Sequence, residues 1–280
     1  LNYDGKSYSV SGIGTCKDTD IVIPSTYNNL PVTSIHIWAF QDRVGFISIT
    51  IPASVTSIEQ GAFAGCTSLA SITIPDSVTS IGYGAFTNTA YYNNEANWTD
   101  GVLYIGNHLI KANSKKLPAI YSVKTGAKCI ADSAFSGCTS LASITIGNGV
   151  TSIGESAFRD CESLTSITIP DSVRSIGNDA FNGCTSLTSV MIPDGVTSIG
   201  EWAFYYCTSL ESITIPDSVT SIGVRAFGWC KSLTSITIPD SVTSIGGAAF
   251  EDCNKLTAVY ITDIAKWCEI SFGSNEANPV

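Results

Sequence analysis

The chain has 280 residues and only 14% of them are charged, well under the roughly 25% of an average globular protein. Its formal net charge is −10, which makes a poor partner for phosphate backbones, so nucleic acid is set aside. An apolar fraction of 44% is too high for a disordered chain, and no uncharged apolar run reaches the roughly 18 residues of a membrane helix.

In chain order, residues 1–31 follow no period. Tyr8-Ser9-Val10 and Asp20-Ile21-Val22-Ile23-Pro24 have the alternation of short strands, and a longer loop leads on to Ala39-Phe40. This stretch reads as an N-terminal cap for a stack of repeats. Leu1 opens the chain without Met or an apolar leader, which suggests a mature or trimmed fragment.

Regular repeats run over 32–87 and 121–258. Phe recurs after Ala at 40, 63, 86, 135, 158, 181, 204, 227 and 250, every 23 residues apart from one gap of 49. Cys66, Cys138, Cys161, Cys184, Cys207, Cys230 and Cys253 keep step three residues after a Phe. In Leu210–Ile215, Ile213 and Ile215 alternate with Ser212 and Thr214, a strand with one apolar face. Pro216-Asp217 ends it. Val219–Ile222 forms a second short strand, Gly223 frees a corner, and 225–230 reads as a single helical turn with Phe227 inward. One such coil buries too little alone, so coils must stack. The fold class is therefore a mostly β repeat solenoid, 1–280 forming a single array.

Residues 88–120 are an irregular insertion. Within it, 101–112 reads as a β-hairpin turning at Gly106-Asn107, and Tyr121–Val123 resumes the repeat. An insertion in a solenoid can be a modified rung or a recognition loop. Residues 259–280 depart again, with a short helix over 262–267, a strand over 270–272 and a loop over 273–280; they read as a truncated end of a longer protein.

The motif I-P-D-S-V-T-S-I-G-x-x-A-F-x-x-C-x-S-L, intact at Ile215–Leu233, closely resembles the BspA-like, treponemal-type leucine-rich repeats of bacterial surface proteins. The resemblance implies a right-handed arc with a parallel sheet on its concave face and short second strands and helical turns on its convex side. It also implies export to the cell surface and adhesion, with extracellular proteins as partners, host matrix or plasma proteins among them. No site residue carries over from it.

Plain packing competes with function at each candidate site. Stacked cysteines sit about 5 Å apart at their Cβ atoms, against about 3.8 Å in a disulfide, so the seven read as buried free thiols. Cys16, Cys129 and Cys268 lie off that ladder and stay open. Asp76, Asp171, Asp194, Asp217 and Asp240 stand beside turn prolines, and carboxylates on one edge give few calcium ligands. The Ser/Thr rows suit a solvated sheet face. His36 and His108 lie on different rungs without a nucleophile and orienting group, so no catalytic residue, metal ligand or cofactor is assigned. Trp202, Tyr205, Tyr206 and Trp229 occupy variable positions on neighbouring rungs, where exposed aromatics mark contact surfaces. Trp38, at the equivalent of Trp202, shows that an aromatic there can be incidental. The reading is a monomeric adhesion solenoid presenting variable side chains. A structural spacer and a carbohydrate-binding module, in which sugars stack on Trp and Tyr, are the alternatives.

Overall fold

The computed structural model describes residues 1–274 and 277–279. The chain forms a β-solenoid in which each repeat contributes two short strands. Strands of the first kind, such as Ser143–Thr145, pair in parallel with their copies one repeat on: Ser143 faces Ser166, Ile144 faces Ile167 and Thr145 faces Thr168. Strands of the second kind stack alike, Ser198–Ile199 on Ser221–Ile222 and that on Ser244–Ile245. The 23-residue period thus becomes an in-register parallel ladder, with the strand Ile residues inward and buried, apart from the half-buried Ile72 and Ile167.

The rungs fall into two compact units, Leu1–Lys111 with Lys128–Asp132, and Ala112–Ala127 with Ser133–Val280. In the first unit, Tyr8–Val10 pairs with Leu30–Ile35 and Asp20–Val22 with Ser48–Thr50, both in parallel. The stretch expected as a long loop contains a hairpin instead. Thr26–Tyr27 turns through Asn28 and Asn29, at φ 48° and 63°, and pairs antiparallel with Pro31 and Leu30. Consecutive Asn residues tolerate the left-handed backbone that a tight hairpin needs. Phe40, Phe63 and Phe86 stack at centroid spacings of 5.0 and 5.4 Å. The insertion begins with a short helix, Ala90–Asn93, capped by the buried Thr89 hydroxyl, which accepts from the Tyr92 amide. The hairpin expected over 101–112 is present as Val102–Ile105 and His108–Ala112, with Gly106 at φ 58° in its turn.

In the second unit, six Phe rings from Phe135 to Phe250 stack at 5.1 to 5.6 Å, no pair inclined by more than 12°. The short helix is Ile264–Glu269, capped by Asp263, and the strand Ser271–Phe272 follows. The loop expected over 273–280 includes residues 275, 276 and 280, which lie outside the described residues.

The constant polar residues of the motif act between rungs. The Cys thiol donates to the carbonyl of the Phe one rung back, as Cys184 Sγ does to Phe158 at 3.1 Å and Cys207 Sγ to Phe181 at 3.1 Å. The Ser after Pro-Asp donates to the preceding rung's Val carbonyl, 2.7 Å for Ser218 to Val196. Thr220 and Thr243 hydroxyls reach the carbonyls of Thr197 and Thr220. Polar groups at the edge of an apolar core are costly unless paired, and each consensus residue answers that demand.

The corner at Ala-Phe is not a helix. Its amides alternate. Ala203, Tyr205 and Cys207 donate three residues back within their own rung, whereas Trp202, Phe204 and Tyr206 donate to Val224, Ala226 and Gly228 of the next rung at 2.8 to 2.9 Å. The alternation needs left-handed residues at two places per corner, Trp202 at φ 57° and Tyr206 at φ 59° in this rung. Gly61, Gly65 and Gly183 fill such places elsewhere, where a positive φ carries no steric cost.

Candidate contact surface

The solenoid brings Trp202, Tyr205, Tyr206 and Trp229 into one strip. Trp202 meets Tyr205 edge-to-face at 4.7 Å, Tyr205 lies 6.3 Å from Tyr206, and Tyr206 lies 5.8 Å from Trp229. Tyr206 is 41% exposed and the other three are half-buried. Trp202, Tyr206 and Trp229 hold φ of 57°, 59° and 61°. A bulky residue in this left-handed region costs roughly 1–3 kcal/mol, so these rings stand where local preference favours Gly, Asn or Asp.

Two neighbours not anticipated from the sequence complete the strip. The Arg225 guanidinium lies over the Trp202 ring at 4.9 Å and pairs with Glu251 at 3.0 Å. The Lys231 ammonium lies over the Trp229 ring at 4.4 Å. Both cations lie within about 6 Å of a ring face, the distance at which the ring quadrupole attracts them. Arg225 stands one 23-residue period after Trp202 and Lys231 two residues after Trp229, so the period itself carried a signal for the first contact. Tyr205 leans on Gly228, where an added Cβ would lie 3.0 Å from its ring. Trp38 does the same more fully. Its ring occupies the space a Cβ on Gly61 would take, which explains that aromatic as packing.

The other candidates do not converge on the strip. His36 is exposed, whereas His108 is buried, with Nε2 3.1 Å from the Pro75 carbonyl and Nδ1 3.3 Å from Cys129 Sγ. Burial depresses the His108 pKa. Cys129, off the ladder in sequence, is also buried, and that burial pushes its thiol up to about 12. The ladder cysteines are free and buried, except Cys253, which is half-buried; Cys16 and Cys268 are free and exposed. Among the described residues no group of three or more His, Cys, Asp or Glu gathers as a metal site would. No described helix is long and apolar enough to cross a membrane.

A profile of the BspA type leucine rich repeat region matches the chain in six copies, over residues 33–164 and 151–276. The chain belongs to the BspA-type leucine-rich repeat family. Solved structures of similar fold include the pneumococcal vaccine antigen PcpA, 24% identical, with a TM-score of 0.51 over 91% of this chain and 66% of that one. A leucine-rich repeat protein from Eubacterium ventriosum is 22% identical, with a TM-score of 0.50 over 92% of this chain and 87% of the other. The Treponema pallidum leucine rich repeat protein is 28% identical, with a TM-score of 0.35 over 83% and 86% of the two chains. A search of curated proteins found no match. The two strands per repeat, the Phe stack and the Cys-to-carbonyl bonds are the physical content of the BspA-type motif in this chain.

Proposed function

We propose that this BspA-type repeat protein is an exported surface protein that acts by binding. Its partners are extracellular proteins of a host or a neighbouring cell, and its contact patch is Trp202, Tyr205, Tyr206 and Trp229. The observation that carries this reading is the placement of three bulky aromatics at left-handed backbone positions in one strip. Local backbone preference alone would favour Gly, Asn or Asp there. Large rigid rings ordered in advance cost little conformational entropy on binding. The Arg225 and Lys231 cations already cover faces of Trp202 and Trp229, which favours a protein partner over a sugar that would stack on those faces. The protein acts as a monomer, without cofactor or catalytic centre, as a rigid scaffold.

The test compares binding to immobilised fibrinogen, fibronectin and a glycan array at physiological salt, for the unaltered protein and for one with all four aromatics changed to Ala. Far-ultraviolet circular dichroism and a cooperative thermal melt first check that the variant folds. Saturable protein binding lost in the variant supports the reading. Binding retained in full moves the site elsewhere, and a glycan-only signal replaces the partner class.

A further inference from the structure

The turn after the first strand of a repeat reads Pro-Asp-Ser at 75–77, 170–172, 216–218 and 239–241. Three restraints hold it. The Pro ring fixes φ. The following Val amide closes back on the Pro carbonyl, at 3.1 Å for Val78 to Pro75, 3.0 Å for Val173 to Pro170 and 3.1 Å for Val219 to Pro216. The Ser hydroxyl ties the turn to the rung before, Ser77 to the Val55 carbonyl at 2.9 Å and Ser172 to the Val150 carbonyl at 2.7 Å.

At 147–149 the same turn reads Gly-Asn-Gly, and all three restraints weaken together. Gly147 has no ring. The closing bond, from Val150 to the Gly147 carbonyl, stretches to 3.4 Å. Gly149 has no hydroxyl to donate, and its φ of 141° is a backbone that favours Gly. Asn148 is exposed, and its side-chain amide has no hydrogen-bond partner among the described residues. The Gly149 amide donates to a side chain, the Ser172 hydroxyl, at 3.2 Å. The chain's other Asn-Gly pair is built the opposite way. Asn182 is 8% exposed and its Nδ2 donates to Asp179 Oδ1 at 2.7 Å, while the Gly183 amide is held by the Tyr205 carbonyl of the next rung at 2.9 Å.

An Asn-Gly pair carries its own electrophile, the side-chain carboxamide carbon, and its own nucleophile, the next backbone nitrogen. Gly puts no Cβ in the way of their approach. The reaction then depends on whether the side chain can turn and the amide can lose its proton, which burial and hydrogen bonds oppose.

We propose that Asn148-Gly149 is a site of spontaneous covalent modification, and that the fold protects Asn182-Gly183 from the same reaction. The deprotonated Gly149 nitrogen bonds to Asn148 Cγ, closing a five-membered succinimide, and the side-chain nitrogen leaves as ammonia. Water, the sole co-reactant, then opens the ring. Opening at Cγ yields aspartate, and opening at the main-chain carbonyl yields isoaspartate. Either product adds one negative charge to the turn. The aspartate product restores the residue type that Asp171, Asp194, Asp217 and Asp240 hold at this place. The isoaspartate product lengthens the backbone between Ser143–Thr145 and Ser152–Ile153, two strands pinned in register to the next rung. One rung of the array thus records the age of the molecule.

The experiment holds the purified protein at physiological temperature, at neutral and at mildly alkaline pH. Asn148 and Asn182 are followed by peptide mapping with mass spectrometry and by an isoaspartate-specific methyltransferase assay. The expected result is progressive loss of the Asn148 amide, faster at the higher pH, with isoaspartate among the products and Asn182 unchanged. In denaturant both pairs should convert. Gly149→Ser, which restores the consensus residue, should abolish the conversion at Asn148. Gly147→Pro, which restores the ring, should slow it and keeps the test open if the first variant does not fold. Asn148 that stays intact in the folded protein overturns the proposal. So does conversion of Asn182 at an equal pace in the folded protein, or conversion of Asn148 that neither variant slows.

Discussion

The corners at Phe86 and Phe204 share a dipeptide and an inward ring, yet their neighbours within their own units differ. Phe204 stacks between Phe181 and Phe227 at 5.2 and 5.6 Å, and its amide bonds to Ala226. In its own unit Phe86 stacks on Phe63, and the stretch that follows it is the irregular 102–112 hairpin. The consensus residues are therefore not complete by themselves. Each is defined by what the neighbouring copy supplies.

The largest test of that contrast is truncation of the rings. Phe204→Ala should cost about 3–5 kcal/mol through a buried cavity. Phe86→Ala, with one stacked ring in its own unit, should cost measurably less in chemical denaturation. Equal losses would break the comparison. Next comes the thiol ladder. Cys184→Ala removes a buried donor and a little volume, for about 1–2 kcal/mol. Burial also raises the thiols, Cys66 to about 11 and Cys253 to about 11. A thiol reagent near pH 8 should therefore label the exposed Cys16 and Cys268 quickly and the ladder only after unfolding. Fast native labelling of the ladder would refute its packing. Ser218→Ala, losing the bond to Val196, should cost about 1 kcal/mol.

The smallest effect depends on pH. Burial holds the His108 pKa below its unfolded value of about 6.5, opposed by its bond to the Pro75 carbonyl and the nearby Asp76, whereas Lys128 adds to the depression. The neutral ring is favoured in the fold. Its contribution is complete above pH of about 6.5 and falls as the solution becomes more acidic, because the unfolded chain takes up the proton first. His108→Gln should flatten that acid limb in denaturation curves measured between neutral and mildly acidic pH. An unchanged limb would place the proton elsewhere.

Much of this was legible in the residues. The Ser-Ile-Thr alternation has period two and gives strands directly, and the 23-residue spacing gives their register. The corner was harder. Ala-Phe followed three residues later by Cys imitates helical spacing, and the contrary signal was the Gly, Asn and Asp at the two left-handed places, Gly61, Gly65, Asn88 and Asp160 among them. The helix Ala90–Asn93 is too short to show periodicity, leaving Thr89 as its sole mark. Of the contact strip, its four aromatics were legible as variable positions, whereas the cations over Trp202 and Trp229 came from side-chain geometry.

The bonds between rungs have a direction. Side-chain donors on Cys, Ser and Thr point to the copy before, whereas the alternate corner amides point to the copy after. An inserted duplicate of one repeat would therefore meet, on either side, the partners its original had, with no new surface to design. The same asymmetry lets the array lengthen or shorten by whole repeats through gene duplication or deletion, while a loss of any other number of residues would put every donor opposite the wrong acceptor.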